Sequence, residues 1–405
     1  MDYSSAISLA IGLIAGAVFA QGTADTLAKA RDKMLSSVPA GPQYTCVETI
    51  DRNYFSRKNP PLRRPACEEL SSDQKKGRTR LQHDAADRLR VEVRMRQGRE
   101  IYAWTGPGTF SRNVEEILQW GPVATGTFGA YLMDIFTNPS IRFRIVDGKE
   151  EPLEYGFRVP TEASRLIVRA PAGWRTAGYD GSITIDRSSL KISRFTMESE
   201  ELPPETAMCE LSATAEYQGA QFPGLLLPSV SHSRNIMRDA TETESVTTFS
   251  NCHESTGPSA EREPAAAPVL PEGVLFELAL ATPVDTASAA AGDVVSARFT
   301  TPILEPKSRK VLVPIDAICT GRIIRMQHNL GARKYFLISI AFDTVQAGGT
   351  DFRLYARSDG NGTGSGQERE EWPMGTFLFT TENLRYVIPA GSKSKWRTTA
   401  PVSAR

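Results

Sequence analysis

Apolar and polar residues alternate along many short stretches of this chain, which is the pattern of β-strands with one buried face. The clearest stretch is RLRVEVRM at 88–95, where every second residue is apolar. Gln97 and Gly98 follow it and lead into EIYAW at 100–104, so we expect a β-hairpin here. The apolar face comprises Leu89, Val91, Val93 and Met95, and the polar face comprises Arg88, Arg90, Glu92 and Arg94.

Further stretches follow the same period of two. SITID (182–186) and KISRFTM (191–197) flank the turn residues 187–189 and predict a second hairpin. Two later stretches each carry a cysteine in phase with the strand pattern, as a bridge across a sheet requires. The in-phase residues are Cys209, Leu211, Ala213, Ala215 and Tyr217 in CELSATAEY, and Val246, Thr248, Ser250 and Cys252 in ESVTTFSNC.

Two stretches have the spacing of an amphipathic helix instead. Residues 26–38 place Leu27, Ala30 and Met34 at helical intervals. The second stretch, 126–137, has a broad apolar face of Phe128, Leu132, Ile135 and Phe136. The N-terminal part of the chain, 24–254, is therefore predicted to be an antiparallel β domain with one or two helices.

A segment rich in proline and alanine, 255–272, predicts a linker between two domains. Residues 273–357 hold six short strand candidates, which is typical of a small all-β sandwich or barrel. A polar, glycine-rich stretch at 358–371 predicts a flexible insertion, and 372–405 predict a last strand pair with a basic tail. The predicted fold class of the whole chain is mainly β.

The first twenty residues have the features of a secretory signal peptide. The uncharged run that ends at Ala20 is too short to span a bilayer comfortably. Val18 and Ala20 are small residues at the positions that a signal peptidase reads, which places the cut before Gln21. We therefore expect 1–20 to be removed and the mature chain to have no transmembrane segment. A buried apolar helix and an uncleaved anchor stay open as alternatives.

Export changes the interpretation of the five cysteines, because oxidising compartments favour disulfides. No two of them have the CxxC spacing of a zinc site or a thioredoxin motif. The most local pairing is Cys46 with Cys67 and Cys209 with Cys252. Cys319 lies in a strand-like apolar run and is expected to be a buried free thiol.

His253 directly follows Cys252, which raises the possibility of a thiol nucleophile with its base. Adjacent residues on a strand point to opposite faces, so a disulfide for Cys252 is favoured over an unpaired cysteine, and both over catalysis. The four histidines are scattered, and the chain has neither a GxSxG elbow nor a glycine-rich phosphate loop. We expect no enzymatic activity, no cofactor and no metal.

The balance of charged residues bears on which classes of partner the chain can bind. The chain has 47 basic and 47 acidic residues, so the surplus of positive charge that nucleic-acid binding requires is absent. One local feature departs from this balance, a basic stripe on one strand face. It is a solvated face interrupted by Glu92 or, as the alternative, a site for an anionic headgroup or polysaccharide. The stripe comprises Arg88, Arg90, Arg94 and Arg96.

Residues 24–254 resemble the bacterial lipoprotein-carrier (LolA-type) superfamily in the order of their pieces. An opening helix precedes YTCVETIDRNYF, then DRLRVEVRMRQGREIYAWTG, the helical GTFGAYLMDIF, and finally LLLPSVSHSR and FSNC. The resemblance implies a curved antiparallel half-barrel, closed by helices, that shelters an apolar ligand. The residues it places on the concave face are Leu89, Val91, Val93, Trp104, Phe128, Leu132 and Phe136. The same side chains would equally fill an ordinary hydrophobic core.

Residues 273–357 are similar to the β module of TrbI-type conjugation proteins. The similarity lies in FELALATPVDTASAAAGDVVSARFTTPIL, KVLVPIDAICTGRI and LISIAFDTVQAGGTDFRL. Where the family has a Pro-Ala-Gly-Ser turn, this chain has Pro-Ile-Asp-Ala at 314–317. The resemblance implies a compact β domain suited to contacts with another envelope protein.

These observations predict a non-enzymatic protein exported to the bacterial periplasm or outer envelope. The first hypothesis is that its N-terminal half-barrel binds an apolar ligand or a lipoprotein partner. The second is a structural or adaptor protein of an envelope assembly without a small ligand, and a secreted hydrolase with an unrecognised site comes third. An open apolar cavity favours the first hypothesis, and a packed interior favours the second.

Overall fold

A computed structural model describes most of the chain and shows a mainly β protein. The predicted signal peptide lies outside the described residues, as do most of the linker and of the glycine-rich insertion. No helix within the described ranges is long and apolar enough to cross a membrane. These ranges are 24–36, 44–59, 63, 65–96, 99–106, 110–111, 114, 117, 121–123, 125–147, 151–218, 227–254, 267–359, 376–380 and 383–401.

Helix α1 spans 24–36, α2 spans Cys67–Lys75 and α3 spans Ala130–Thr137. The helix predicted at 26–38 is confirmed. Helix α3 begins four residues later than predicted, because Gly129 before it has a φ of +152°, which a right-handed helix does not contain.

The described residues before the linker, which we call the N-terminal unit, form an antiparallel sheet. Its strands are β1 (Tyr44–Arg57), β2 (Leu81–Arg96), β3 (Arg99–Trp104), β4 (Arg142–Asp147), β5 (Leu153–Val159), β6 (Ile167–Ala170), β7 (Gly173–Thr176), β8 (Tyr179–Ile185), β9 (Ile192–Ser199), β10 (Met208–Gln218), β11 (Leu227–Met237) and β12 (Glu242–Glu254).

The order of neighbours in this sheet is β3–β2–β1–β12–β11–β10–β9–β8–β5–β4. The sheet is curved and does not close. Strands β6 and β7 form a separate hairpin. Helices α1 and α3 pack their apolar faces on the sheet's main core, in which Phe157, Tyr179 and Phe195 are buried. The predicted curved antiparallel sheet with helices is thus confirmed.

The described residues from 267 onward form the C-terminal unit, which is all β. Its core is built on Phe276, Phe299, Phe342 and Trp396. Neighbouring strands run in the order β21–β24–β13–β15–β18–β19, and β20 and β22 both pair with β19. The strands are β13 (Leu275–Leu280), β14 (Val284–Asp285), β15 (Val294–Phe299), β16 (Ile303–Leu304), β17 (Val311–Val313), β18 (Ile318–Asn329), β19 (Tyr335–Ala347), β20 (Thr350–Arg353), β21 (Ala356–Ser358), β22 (Thr376–Thr380), β23 (Val387–Ile388) and β24 (Lys393–Thr398).

The phase of β2 is confirmed, because Leu89, Val91 and Val93 are buried. Strand β10 also has the predicted phase, with its five in-phase residues from Cys209 to Tyr217 all buried. The predicted hairpins exist as β2–β3 and β8–β9.

The predicted phase of β12 is wrong. The buried face of this strand carries Thr243, Ser245 and Thr247, whereas Thr248 and Ser250 are exposed. A β-bulge explains the difference: the β1–β12 register shifts between Thr45/His253 and Val47/Ser250, and Asn251 has a φ of +49°. One extra residue in β12 moves Cys252 to the opposite face from the one that strict alternation predicts.

The predicted disulfide pairing is also wrong. The structure joins Cys46 to Cys252 and Cys67 to Cys209, not Cys46 to Cys67 and Cys209 to Cys252. Strand β12 lies directly beside β1, so Cys252 faces Cys46, whereas β11 separates β10 from β12. Cys67 begins α2, which packs on β10 near Cys209. Cys319 is a buried free cysteine, as predicted.

Strand β2 also connects the two units. Its residues Ala85–Asp87 pair with Gln327–Asn329 of β18, and the backbone of Arg88 and Arg90 exchanges hydrogen bonds with Ala291. We call these contacts, together with the segment 287–293, the junction.

The basic stripe on β2 is largely used by the protein itself. Arg88 donates to Asp51 and to the carbonyl of Ala287, and Arg90 pairs with Asp293. Arg94 donates to Thr45 and lies 4.3 Å above the Phe110 ring. Two of the four arginines therefore fasten the junction, and a third is held within the N-terminal unit.

Replacing Gly292 with alanine is expected to lower the free energy of unfolding by about 3 kcal/mol. Gly292 has a φ of +109°, and a Cβ there would lie 1.9 Å from the carbonyl oxygen of Arg90. Urea unfolding followed by circular dichroism measures the loss. Gly273→Ala is the control, because Gly273 has a φ of +82° with no atom within 4 Å of the added Cβ. Equal losses would show that backbone strain, and not the contact at the junction, sets the cost.

Candidate functional site

A cavity of about 610 Å³ opens on the N-terminal unit. It lies between the start of β3, the first turns of α3 and the β6–β7 hairpin. Its described lining is mostly apolar, with a few charged side chains, which is the usual composition of a small-molecule site. The lining residues are Arg99, Glu100, Tyr102, Val114, Val123, Thr125, Gly126, Ala130, Tyr131, Asp134, Arg165, Leu166, Ile167 and Trp174.

Glu100 forms part of the cavity floor and is held by its own chain. Its carboxylate accepts hydrogen bonds from the Tyr102 hydroxyl and from the backbone N–H groups of Gly126 (2.5 Å), Gly129 (3.1 Å) and Ala130 (3.4 Å). Burial raises the pKa of Glu100, and these hydrogen bonds oppose the rise. The first backbone N–H groups of a helix have no partner within the helix, so Glu100, which lies on β3, caps the N-terminus of α3.

A second carboxylate of the lining, that of Asp134, lies on α3 itself, one turn after its first residue. Asp134 is 6 % exposed and pairs with Arg165, whose Nε lies 2.9 Å from Oδ1. Burial raises the pKa of Asp134, and the positive charges of Arg165 and Arg99 lower it. Arg165 itself remains largely exposed, so this pair links the interior to the rim of the cavity.

Aromatic and aliphatic side chains supply the rest of the wall. Tyr102 and Leu166 are buried, while Ile167 and Trp174 are 53 % and 42 % exposed. Tyr131 stacks on Phe195 of the main core, with ring centroids 5.5 Å apart. The apolar surface therefore continues from the exposed β6–β7 hairpin to the buried floor.

The seven residues predicted to line a concave pocket are not among the lining of this cavity. One buried cluster, on the apolar face of β2, contains Leu89, Val91, Val93 and Phe128. Trp104 packs against this cluster. Leu132 and Phe136 of α3 are buried in the main core. The structure thus places the seven side chains in two separate packed clusters.

The sequence pattern does not single out Arg99, Asp134, Arg165 or Trp174. These residues come from three distant parts of the chain, and only the fold brings them together. One local signal is Trp174 itself, a large aromatic residue in the short strand GWRT, between Gly173 and Arg175.

Cys252 and His253 do not form a catalytic pair. The sulfur of Cys252 is bonded to Cys46, and the ring of His253 is exposed, with Nδ1 3.0 Å from the carbonyl oxygen of Asn251. Within the described ranges, no three His, Cys, Asp or Glu side chains are placed to hold a metal ion.

No protein-family model matches the chain, and no curated protein matches it significantly. The resemblances to the LolA-type superfamily and to the TrbI-type module therefore stay predictions.

Proposed function

We propose that this chain is a non-enzymatic, exported envelope protein that binds an apolar or amphipathic ligand in the N-terminal unit. The cavity beside α3 is the observation that carries the proposal. Its volume of about 610 Å³ falls within the range of small-molecule sites, roughly 300–1,000 Å³. Its walls combine apolar area with a few placed charges, as such sites do.

The location rests on separate observations. Cys46–Cys252 and Cys67–Cys209 are typical of proteins that fold in an oxidising compartment. The predicted signal peptide, the resemblance to lipoprotein carriers and the similarity to TrbI-type modules all support the periplasm or outer envelope.

A structural or adaptor role is the second candidate. It is favoured by the packing of Leu89, Val91, Val93 and Phe128, which fill the space behind β2 with the protein's own side chains. The C-terminal unit also exposes Val311, Ile315 and Ile318 within one short stretch. An envelope protein could be contacted there.

Solvent extraction separates the two candidates. The chain from Gln21 is expressed in an oxidising compartment, and the purified protein is extracted and analysed by mass spectrometry. The proposal predicts a stoichiometric apolar or amphipathic species. An empty extract from folded protein would favour the adaptor role instead.

Ala130→Trp tests whether the species occupies this cavity. The indole would project into the cavity from the first residue of α3, and the amount of bound species is expected to fall about tenfold or more. Thr137→Trp, at the exposed end of the same helix, is the matched control and should retain it. An unchanged amount in Ala130→Trp would place the ligand elsewhere.

A further inference from the structure

We infer that the ligand of this cavity is an amphiphile with an anionic head group, and that Arg99 binds this head group. The inference rests on the proposed function, because it presumes that the cavity takes a ligand. It follows from which charges of the lining are already bonded within the protein and which are not.

The two acidic side chains of the described lining are both engaged. Glu100 accepts four hydrogen bonds, three of them from backbone N–H groups at the start of α3 and in the turn before it. Asp134 is paired with Arg165. Both carboxylates are buried, at 8 % and 6 % exposure, so neither offers a free acceptor to a cationic ligand at the entrance.

Arg99 is the remaining charged side chain of the described lining. It is exposed at the first position of β3, and its guanidinium makes no hydrogen bond or ion pair with another described residue. Arg99 lines the same cavity as Asp134 of α3, and its positive charge lowers the pKa of that carboxyl. A guanidinium stays protonated in proteins and presents paired N–H donors that match carboxylates and phosphates.

The exposed rim of the described lining carries the two arginines together with apolar side chains, and its buried interior carries the two carboxylates, which are already hydrogen-bonded or ion-paired. The exposed side chains are Arg99 and Arg165, with Ile167 and Trp174 beside them. The buried apolar surface lies deeper, on Tyr102 and Leu166. A ligand that fits this order has its charged end at the mouth and its apolar chain inside.

The sign of the head group follows from Arg99, because the other exposed charged side chain of the described lining, Arg165, is already paired with Asp134. A quaternary ammonium group would face the positive charge of Arg99, whereas a carboxylate or phosphate would gain charge-assisted hydrogen bonds from it. An uncharged head group would leave Arg99 unpaired.

Titration calorimetry on the disulfide-bonded mature chain tests the assignment, after bound lipid has been removed. The probes share one alkyl chain and are used below their micellar concentrations: laurate, dodecyl phosphate, dodecanol and dodecyltrimethylammonium. The anionic probes are expected to bind about tenfold more tightly than dodecanol, with the ammonium probe weakest. Tighter binding of dodecyl phosphate identifies a phosphate head group, and tighter binding of laurate a carboxylate.

In Arg99→Gln the tenfold preference for anionic probes over dodecanol is expected to disappear. Arg158→Gln is the control, because Arg158 is exposed, pairs with Glu200 and does not line the cavity, so the preference should persist. Equal affinity for all four probes, or an unchanged preference in Arg99→Gln, would overturn the head-group assignment and leave the cavity as a binding site. If no probe binds and the solvent extract is empty, the proposed function fails and this inference fails with it.

Discussion

A variant with alanine at both Cys46 and Cys252 is expected to lose about 5 kcal/mol of its free energy of unfolding. The two cysteines are 206 positions apart, so their bond constrains nearly the whole N-terminal unit in the unfolded chain. The loss is measured by urea unfolding of the oxidised proteins. Disulfide mapping of the parent chain should recover one peptide pair containing Cys46 and Cys252.

The matched comparison is a variant with alanine at Cys67 and Cys209. These cysteines are 142 positions apart in the sequence, so chain entropy alone predicts a similar loss of unfolding free energy. The two bonds differ in their surroundings. Cys46 and Cys252 lie on strands already joined by backbone hydrogen bonds, whereas Cys67 holds the short helix α2 against β10. Hydrogen exchange should therefore show local loss of α2 only in the second variant. A loss well under 2 kcal/mol in the first variant would contradict the chain-entropy account.

Replacing Asp87 with asparagine is expected to destabilise the protein by about 3–5 kcal/mol. Arg52, which is 1 % exposed, donates to both carboxylate oxygens of Asp87 at 2.7 Å, and Tyr54 adds a third hydrogen bond at 2.9 Å. Removing the negative charge leaves the guanidinium buried without a counter-ion. The midpoint of urea unfolding reports the effect.

The next cross-strand pair provides the control. Asp51 lies opposite Arg88 on the same two strands, but both side chains are partly exposed, at 42 % and 30 %. Asp51→Asn makes the same chemical change at a solvated ion pair, and its cost should stay below about 1 kcal/mol. Similar small losses in both variants would mean that water reaches Arg52 when Asp87 loses its charge.

Local regularity determined how much of the fold could be predicted. Strands β2 and β10 could be recognised because residues 88–95 and 209–217 each keep one alternation. Strand β12 could not, since the single extra residue at Asn251 reverses the phase without any change in composition. The disulfide partners depend on which strands become neighbours, and nothing near Cys46 or Cys67 in the sequence contains that information.

The candidate site was predicted less well than the fold. Leu89, Val91 and Val93 are apolar and in phase, so they were correctly expected on one face, but the sequence cannot tell a lined concavity from a packed one. The cavity instead depends on Arg99, on α3 and on the separate β6–β7 hairpin. The position of this hairpin is set by contacts with distant parts of the chain, which a local pattern does not reveal. No motif or residue spacing marks the charged residues of the cavity in the sequence.

The sharing of β2 between the units has a consequence for synthesis and truncation. Ala85–Asp87 meet their partners only when Gln327–Asn329, much later in the chain, have been made. Until then a nascent chain carries a bare strand edge, with Arg88 and Arg90 short of acceptors. A prematurely terminated product keeps that edge permanently, and open edges of this kind recruit other chains into aggregates. We therefore expect the C-terminal unit to cover this edge of β2 and to limit self-association of the N-terminal unit.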